Sequence, residues 1–236
     1  MQVKAIKTAI FKENEDLVHF ILRYIPKVKE GSVLVVTSKI VALSEGRTAL
    51  IKNSKTKEEL IRKESEIAIP SKYVWLTIKD GVVMASAGID ESNANGKLIL
   101  LPKDSFKSAE SLRTLLKKKY NLKNLGVLIT DSRTVPMRLG IIGMAVGYAG
   151  FKGLKDYRKS ADIFGRKFKF SRTDVADSLS ASSVLLMGEG NEQKPLAIIE
   201  SAPVEFCDKV SKKELYIRPE DDMYRSLFLK LPKKYN

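Results

Sequence analysis

The stretch VLITDSRTVPMRLG, residues 127–140, joins a strongly apolar run to a polar and cationic segment. We interpret residues 125–129 as a buried strand, because a short apolar run bounded by polar residues is typical of one. The run ends in Asp131 and Ser132, and Arg138 follows shortly after them. An acid and a hydroxyl beside cations indicate either a metal–phosphate site or a plain polar turn, and the rest of the chain has to decide between them.

Strand and helix patterns are mixed along the chain, which predicts an α+β fold with mixed sheets rather than a doubly wound parallel sheet. Asp80-Gly81 between two apolar runs predicts a hairpin, and Thr56 with Glu59 predicts a capping box at a helix start. The predicted strands cover residues 3–11, 33–36, 73–78, 82–85, 98–101, 125–129, 141–148 and 196–199. The predicted helices cover residues 15–24, 56–68, 108–119, 174–186 and 221–229.

The composition excludes several classes of protein. Hydrophobic residues make up 44% of the 236 residues, which is typical of a globular chain. With one cysteine, Cys207, and one histidine, His19, a Cys/His zinc site, a disulfide framework and a CxxC redox centre are excluded. His19 lies in a predicted amphipathic helix, and Cys207 is expected to be partly buried. Neither a signal peptide nor a membrane-spanning segment is predicted, so we expect a cytoplasmic protein without a membrane partner.

The net charge of +14 predicts a polyanionic partner. Nucleotides or phosphorylated metabolites are favoured over nucleic acid, because the lysines are spread along the chain without an arginine-rich arm or an RNA-binding aromatic signature. Lysines spread in this way also simply solvate a surface. No Walker motif or dinucleotide-binding glycine spacing is present, so a bound nucleotide would need another route.

Three carboxylates stand where predicted elements stop: Asp90, Asp131 and Glu189. Mg²⁺ typically takes one or two carboxylates together with phosphate oxygens and water, and nearby lysines and arginines hold phosphate. Each motif alone is also compatible with an ordinary loop or helix stop. The residues by themselves therefore leave the metal–phosphate site and the polar loops as open alternatives.

An ordered set of motifs resembles the coenzyme F-420 gamma-glutamyl ligase family. The motifs are SKIVALSEGR at 38–47, AGIDESN at 87–93, LLPKDS at 100–105, ITDS at 129–132, GMAVGYAG at 143–150, DYRKSADIFGR at 156–166 and ADSLSASSVLLMGE at 176–189. They cover about residues 5–200, with 201–236 as a C-terminal extension packing on a single ligase-like unit, 1–236. The resemblance implies an unusual α+β fold in an intertwined homodimer.

The resemblance also implies the reaction and the metal ligands. Family members use GTP and a divalent metal, Mg²⁺ or Mn²⁺, to add L-glutamate to a phospholactate-bearing deazaflavin through an acyl phosphate. Asp90, Asp131, Ser132 and Glu189 match the ligands of a two-metal site. Asp90, Asp131 and Glu189, together with Arg138, form the implied catalytic set.

A nucleotide site is implied in the same way. Lys39 and Arg138 are expected to balance phosphate charge, and for Arg158 and Arg166 we favour pairing with Asp156 and Asp162. The positions matched to nucleotide contacts are Ile10, Phe11, Lys12, Ser38, Lys39, Asn93, Met187, Gly188, Glu189, Gly190 and Lys194.

Two departures from the family pattern fall where phosphate and acceptor are expected. Leu43 stands where the family usually has a phosphate-binding lysine, and Val135 and Met137 replace an arginine and a tryptophan in the loop after ITDS. We consider that Arg133 restores one charge from a shifted position. The departures keep two alternatives open: a ligase for another acceptor such as a folate, and a non-catalytic nucleotide- or nucleic-acid-binding relative.

Overall fold

The structure is a computed structural model that describes residues 1–51 and 54–228. Its strands are β1 (Gln2–Ile6), β2 (Ser32–Thr37), β3 (Thr48–Leu50), β4 (Ile67–Pro70), β5 (Trp75–Lys79), β6 (Val82–Ala85), β7 (Lys97–Ile99), β8 (Leu125–Thr134), β9 (Ile141–Ala149), β10 (Leu154–Asp156), β11 (Arg172–Asp174) and β12 (Leu196–Glu200). Its helices are α1 (Leu17–Tyr24), α2 (Ser38–Ser44), α3 (Ser54–Glu64), α4 (Ser105–Tyr120), α5 (Val175–Met187) and α6 (Arg225–Phe228). The predicted α+β class is confirmed.

A five-stranded mixed sheet in the order β1-β12-β2-β8-β9 forms the centre of the fold. Only β2 and β8 pair in parallel, from Ser32 beside Leu125 to Thr37 beside Thr130, and the other three pairings are antiparallel. A parallel pair needs a long crossover, and here it spans residues 38–124 and includes the three-stranded sheet β4-β5-β6 and the pair β3-β7. The crossover thereby carries a second layer of structure to the carboxyl ends of β2 and β8.

The central strand β2 is buried on both faces of the sheet, which explains its continuous apolar run. Leu34 and Val36 face a core formed with α1, α2 and α4. Val33 and Val35 face the opposite core, formed with α5 and the C-terminal segment. The continuous VLVV run of β2 follows from this two-sided burial, because alternate residues enter different cores.

Two glycines of β9 allow two helices, α4 and α5, to approach the sheet closely. A Cβ added at Gly147 would lie 2.4 Å from the carbonyl carbon of Ser105 at the start of α4, and one added at Gly143 would lie 2.5 Å from the Ser180 carbonyl oxygen of α5. A β-bulge at Val146 turns the two glycines towards different helices. Gly143 and Gly147, which lie in the predicted strand 141–148, therefore set the distance between the sheet and the two helices.

The opening motif differs from its prediction, because β8 does not end at Ile129. The strand continues to Thr134, with Asp131 beside Met144 and Ser132 beside Gly143 of β9. Backbone pairing with β9 does not depend on the polarity of these side chains. The change from apolar to polar residues therefore marks where β8 stops being buried, and the strand itself continues. The first strand shows the opposite error: it ends at Ile6 instead of residue 11.

Helix boundaries also differ from the predictions. The helix α3 begins at Ser54, ahead of the predicted Thr56–Glu59 capping box, and ends at Glu64, because residues 67–70 pair with β5. Instead of one helix over 221–229, the chain forms a 3₁₀ turn at Pro219–Asp221 and the short α6, and Leu229 lies outside the described residues. The predicted β5–β6 hairpin is confirmed.

The segment after β12 packs on the α5 side of the sheet. Phe206 and Phe151 form an isolated antiparallel backbone bridge. The Glu214 carboxylate accepts hydrogen bonds of 2.8 Å from the Tyr148 hydroxyl and from the Gly153 N–H. Cys207 in this segment is partly buried, as expected. In the described part of the chain, no helix is long and apolar enough to cross a membrane.

We expect Gly147→Ala to lower the free energy of unfolding by about 1–3 kcal/mol, because the new methyl group would overlap the backbone of Ser105. Urea unfolding measures the change. Gly190→Ala is the control, because its Cβ would meet only the flexible Glu192 carboxylate at 3.4 Å, and we expect a change within about 0.5 kcal/mol. Equal effects of the two substitutions would contradict the close helix–sheet approach.

Candidate active site

The parallel pairing of β2 and β8 brings four predicted site residues to one edge of the central sheet. Ser38 and Lys39 open α2 immediately after β2, and Asp131 and Ser132 lie in β8 just beyond the last residue pair of the two strands. The carboxyl ends of parallel strands meet at the same sheet edge, so these side chains are neighbours although 92 positions separate Lys39 from Asp131.

The loop at Asp90 reaches this edge from the second layer. Asp90 forms an isolated bridge with Ile99, and Ser92 folds back so that its N–H and its hydroxyl donate to the two Asp90 carboxylate oxygens, at 2.7 and 2.8 Å. The Lys39 ammonium lies 2.7 Å from the Asp90 carboxylate. A salt bridge thus joins the start of α2 to the loop.

The turn after α5 closes the third side of the site. α5 ends at Met187, whose side chain is buried, and Gly188 leaves the helix with a φ of 83°. Asn93 donates from its side-chain amide to the Gly190 carbonyl at 3.1 Å, and the Thr37 N–H donates to Pro195 O at 3.0 Å. Glu189 thereby lies near Ser132, whose hydroxyl acts to lower the pKa of the Glu189 carboxyl.

Burial and like charge disfavour ionisation of two of these acids. Burial raises the pKa of Asp131 to about 6; the Asp90 charge adds to the effect, while the Ser132 N–H, Lys39 and the Ser38 hydroxyl oppose it. Burial also raises the pKa of Glu189, against the Ser132 hydroxyl and Lys39. For Asp90, burial is outweighed by Lys39 and Ser92, so its pKa stays below the usual range.

The chemistry of these donors fits a hard divalent cation. Asp90, Asp131 and Glu189 offer carboxylates, Ser132 offers a hydroxyl, and Lys39 is the cation that acts on all three acids. Among the described residues, no three Asp, Glu, His or Cys side chains come together at metal-binding distances, and Asp90 is paired with Lys39. The excess of negative charge and the oxygen-only donor set are those that Mg²⁺ and Mn²⁺ prefer.

Residues 10–12, which are predicted to contact the nucleotide, include both exposed and buried side chains. The Ile10 side chain is exposed, whereas Phe11 is buried and packs edge-on against Phe20 with ring centres 4.9 Å apart. The exposed Lys12 donates its N–H to Glu15. Only the backbone of Phe11 is left for a nucleotide, so its nucleotide role, like those of Ile10 and Lys12, remains a prediction.

The altered loop after Ser132 does not replace the missing charge through Arg133. The Arg133 guanidinium lies 2.8 Å from the Asp177 carboxylate at the start of α5, so its charge is paired with Asp177. This corrects the idea that Arg133 acts from a shifted position. Arg138 lies in the exposed loop between β8 and β9 and makes no ion pair with the described residues, and Met137 in this loop is fully exposed.

Other predicted residues have clear environments. Leu43, which replaces the family lysine, is partly buried and packs against Ala42 and Ile99. Asp156 forms an ion pair of 2.5 Å with Arg158, as the favoured interpretation predicted. The Asp162 carboxylate instead accepts the backbone N–H groups of Phe164 and Arg166, and among the described residues it forms no ion pair with the Arg166 guanidinium. Lys194 is half-buried on the chain segment that returns from Gly190 towards β12.

The sequence interpretation missed two residues that shape the site. Ser92 holds both oxygens of Asp90, and Glu192 folds over the Gly188–Gly190 turn and accepts the Gly190 N–H at 2.8 Å. A hydroxyl residue two positions after an aspartate is a known turn pattern, so the Ser92 contact was detectable in the sequence. No comparable signal indicated Glu192.

The family model described as F420-0:Gamma-glutamyl ligase matches residues 5–201. The chain belongs to this family. A coenzyme F420:L-glutamate ligase of Methanococcus maripaludis strain C7 is 33% identical over 95% of this chain and 97% of its own length. Proteins of the same name from Archaeoglobus fulgidus and Methanocaldococcus jannaschii are 31% and 30% identical, over 92% and 96% of this chain and 92% and 97% of their own.

This membership makes the chain an amide-bond-forming ligase, as the resemblance implied. The family match ends at residue 201, close to the predicted limit of the motif region. The acids gathered at the carboxyl edge of β2 and β8 are therefore those of a gamma-glutamyl ligase family member. The metal and nucleotide roles of the individual residues remain predictions.

We expect Asp131→Asn to stabilise the metal-free ligase by about 1–2 kcal/mol above pH 6, but not below about pH 4. The pKa of Asp131 is about 6 in the folded state against 3.8 for the ordinary group, so between these values the folded state binds more protons and loses stability as the pH rises. Urea unfolding in EDTA at several pH values measures the difference between variant and wild type.

Asp156→Asn is the matched control for this prediction. The Arg158 side chain holds the pKa of Asp156 well below its usual range, so the same substitution gives no gain in stability at high pH. If the stability of Asp131→Asn relative to wild type did not change with pH, Asp131 would not carry an ionised carboxylate disfavoured by burial.

Proposed function

We propose that this chain is a GTP- and divalent-metal-dependent gamma-glutamyl ligase that adds L-glutamate to a coenzyme F420-type acceptor through an acyl phosphate. The observation that carries the proposal is the convergence of Asp90, Asp131 and Glu189 on one sheet edge, each matching a family metal-ligand motif. The names of the relatives support glutamate and an F420 acceptor as substrates.

Asp90, Asp131, Ser132 and Glu189 would hold Mg²⁺ or Mn²⁺ in a two-metal site. Bound metal supplies charge neutralisation for the attacking and leaving oxygens of the phosphoryl group. The protein's own contribution is to hold the acids in place. Ser92 fixes the Asp90 carboxylate through two hydrogen bonds, and the backbone of β8 fixes Asp131 by pairing with β9.

The nucleotide would lie between the Asp90–Asn93 loop and the turn after α5. Asn93 and Gly190 already join these two segments, and Gly188 allows the turn its left-handed φ. Lys39 and the exposed Arg138 would balance phosphate charge. Ser38, Met187, Lys194 and residues 10–12 complete the proposed nucleotide contacts.

The proposed reaction has two steps. An acceptor carboxylate oxygen attacks the γ-phosphorus of GTP, the bond from this phosphorus to the β–γ bridging oxygen breaks, and GDP leaves. The amine of L-glutamate then attacks the acyl carbon, inorganic phosphate leaves and the amine loses a proton. Both steps depend on charge balance and positioning, which is what a rigid sheet edge with fixed acids provides.

The proposed working unit is a homodimer, which the resemblance implies. Large apolar side chains are exposed on the tip of the β8–β9 hairpin and on the loop between β10 and β11. They are Met137, Leu139, Ile163, Phe164 and Phe170, each at least 87% exposed. Large apolar side chains exposed on protruding loops are typical of an interface.

We expect GTP to bind in the presence of Mn²⁺, and Asp131→Asn to abolish both this metal-dependent binding and glutamate ligation. The substitution removes a metal-binding charge but keeps the size of the side chain. Calorimetric titration of GTP and ATP, each with and without Mn²⁺, measures binding. Ligation is followed by mass spectrometry with an F420-type acceptor, a folate and L-glutamate.

Asp156→Asn is the control, because it removes a surface carboxylate outside the proposed site. Unchanged turnover in Asp131→Asn would contradict the site. Turnover of folate alone would favour the other-acceptor alternative. An absence of nucleotide binding in the wild type would contradict the ligase mechanism and leave the basic surface as the remaining functional feature, to be tested by salt-dependent RNA or DNA binding.

Light scattering after gel filtration should give about twice the mass of one 26.4 kDa chain. We expect Phe164→Ser to shift this mass towards the monomer, since it removes one of the exposed aromatic rings of the β10–β11 loop. Tyr73→Ser, at an equally exposed aromatic in the turn before β5, should leave the dimer intact. A monomeric wild type would contradict the dimer.

A further inference from the structure

Three oxygen atoms of Asp90 and Ser92 surround the Lys39 ammonium, and we call them its oxygen cage. The ammonium contacts the Asp90 carboxylate at 2.7 Å, the Ser92 carbonyl at 2.8 Å and the Ser92 hydroxyl at 3.0 Å. The ammonium donates two hydrogen bonds to Ser92 and forms an ion pair with Asp90, so its charge is held by both residues. Only 24% of the Lys39 side chain is exposed, against 44% of the Asp90 side chain, so incoming ions reach this pair from the Asp90 side.

We propose that Lys39 is an internal counter-ion, which holds Asp90 until a divalent cation displaces it and then turns towards the phosphates of the nucleotide. This inference rests on the proposed function, because it assumes that Asp90 is a metal ligand. The proposed function does not itself include a competition between Lys39 and the metal for the Asp90 carboxylate. Under this inference, the Lys39 side chain takes two successive positions, first at Asp90 and then at the phosphates.

The geometry supports a displaceable cation. The Asp90 oxygen nearest to Lys39, Oδ2, also accepts the Ser92 hydroxyl at 2.8 Å, so a metal ligated through it must remove the ammonium first. Asp131 and Glu189 interact with the same Lys39 charge, so the ammonium serves as the shared cation of the three acids. A lysine suits this role because its long flexible stem lets a point charge move between two positions.

A permanent structural salt bridge is the competing explanation, and it predicts the opposite effect on metal affinity. If Lys39 only holds the Asp90 loop in place, then its loss disorders a metal ligand and weakens metal binding. If Lys39 competes with metal, then its loss strengthens metal binding. The sign of the change in affinity therefore separates the two roles.

The test measures the Kd of Mn²⁺ alone, without nucleotide, by electron paramagnetic resonance on the full chain. We expect Lys39→Met to bind Mn²⁺ about tenfold to a hundredfold more tightly than the wild type, because a competing unit charge has been removed at close range. Lys39→Arg keeps the charge and should remain within about threefold of the wild type. At saturating Mn²⁺, Lys39→Met should bind GTP more weakly, because its second position is also lost.

Lys57→Met is the matched control. Lys57 pairs with Glu91 at 2.5 Å, next to Asp90 in the same loop, but it does not contact the Asp90 carboxylate. We expect its Kd for Mn²⁺ to stay within about twofold of the wild type, since general loss of positive charge is screened at this distance. Equal tightening in Lys57→Met and Lys39→Met would overturn specific competition by Lys39.

A second measurement follows Lys39 in the wild type, and it needs only the charge-preserving variant Lys39→Arg for assignment. The ¹³Cε resonance of Lys39, assigned with Lys39→Arg, should shift when Mg²⁺ is added, because the ammonium leaves its cage. A Mg²⁺ titration that saturates the protein without moving this resonance would overturn the inference.

The outcomes also distinguish this inference from the proposed function. If the wild type binds Mn²⁺, Asp131→Asn does not, and Lys39→Met binds it equally or more weakly, the ligase site stands and the counter-ion role is wrong. If the wild type binds no Mn²⁺ with or without GTP, the proposed function fails, and the counter-ion role fails with it.

Discussion

Backbone hydrogen bonds between the parallel strands β2 and β8 fix the place where the chemistry of this protein is concentrated. They bring Thr37 beside Thr130, so the helix start after β2 and the polar continuation of β8 share one edge. β12 extends the same sheet on the other side of β2, and the turn that precedes it carries Glu189 to that edge. The long crossover between the parallel strands brings Asp90 from the second layer. One pairing thus draws together four distant parts of the chain.

The concentration of acids at this edge works against the stability of the fold. Burial raises the pKa of Asp131 to about 6, and it also raises the pKa of Glu189, which lies at the exposed side of the site, so ionisation is disfavoured most at Asp131. A protein that used these positions only for structure would be better served by neutral or apolar side chains. Acids retained at such a cost are typical of functional sites, and the single shared cation, Lys39, leaves the negative charge in excess. A cation supplied from solution would offset that excess.

Much of this arrangement could be read from the sequence, and the errors have physical causes. The apolar run of β2, the β5–β6 hairpin and the core of α5 were predictable because burial imposes local periodicity. The extension of β8 through Asp131 and Ser132 was not, because it depends on pairing with β9 and not on the polarity of the residues themselves. The start of α3 was misplaced for a different reason, because the Thr56–Glu59 pair that resembles a capping box lies inside the helix.

The site shows the same division between local and long-range information. The motifs identified the acids and their family, but the Lys39–Asp90 salt bridge joins residues 51 positions apart, and no local pattern encodes it. The burial of Phe11 against Phe20 also required tertiary packing, because an aromatic residue near a predicted loop reads equally well as a ligand contact. The pairing of Arg133 with Asp177 was hidden in the same way, since it depends on where α5 begins.

The two departures from the family pattern differ in their structural meaning. Leu43 is integrated into the packing around Ala42 and Ile99, so restoring a lysine there would place a charge against apolar side chains. The β8–β9 loop is different, because Met137 and Arg138 are exposed and their replacement would disturb little of the fold. Substitutions in this loop can therefore change its surface without disturbing the sheet edge that carries the acids. The acids fixed by the sheet and the residues carried on the exposed loop are separable parts of this ligase, and it is the loop that has diverged without a structural constraint to hold it.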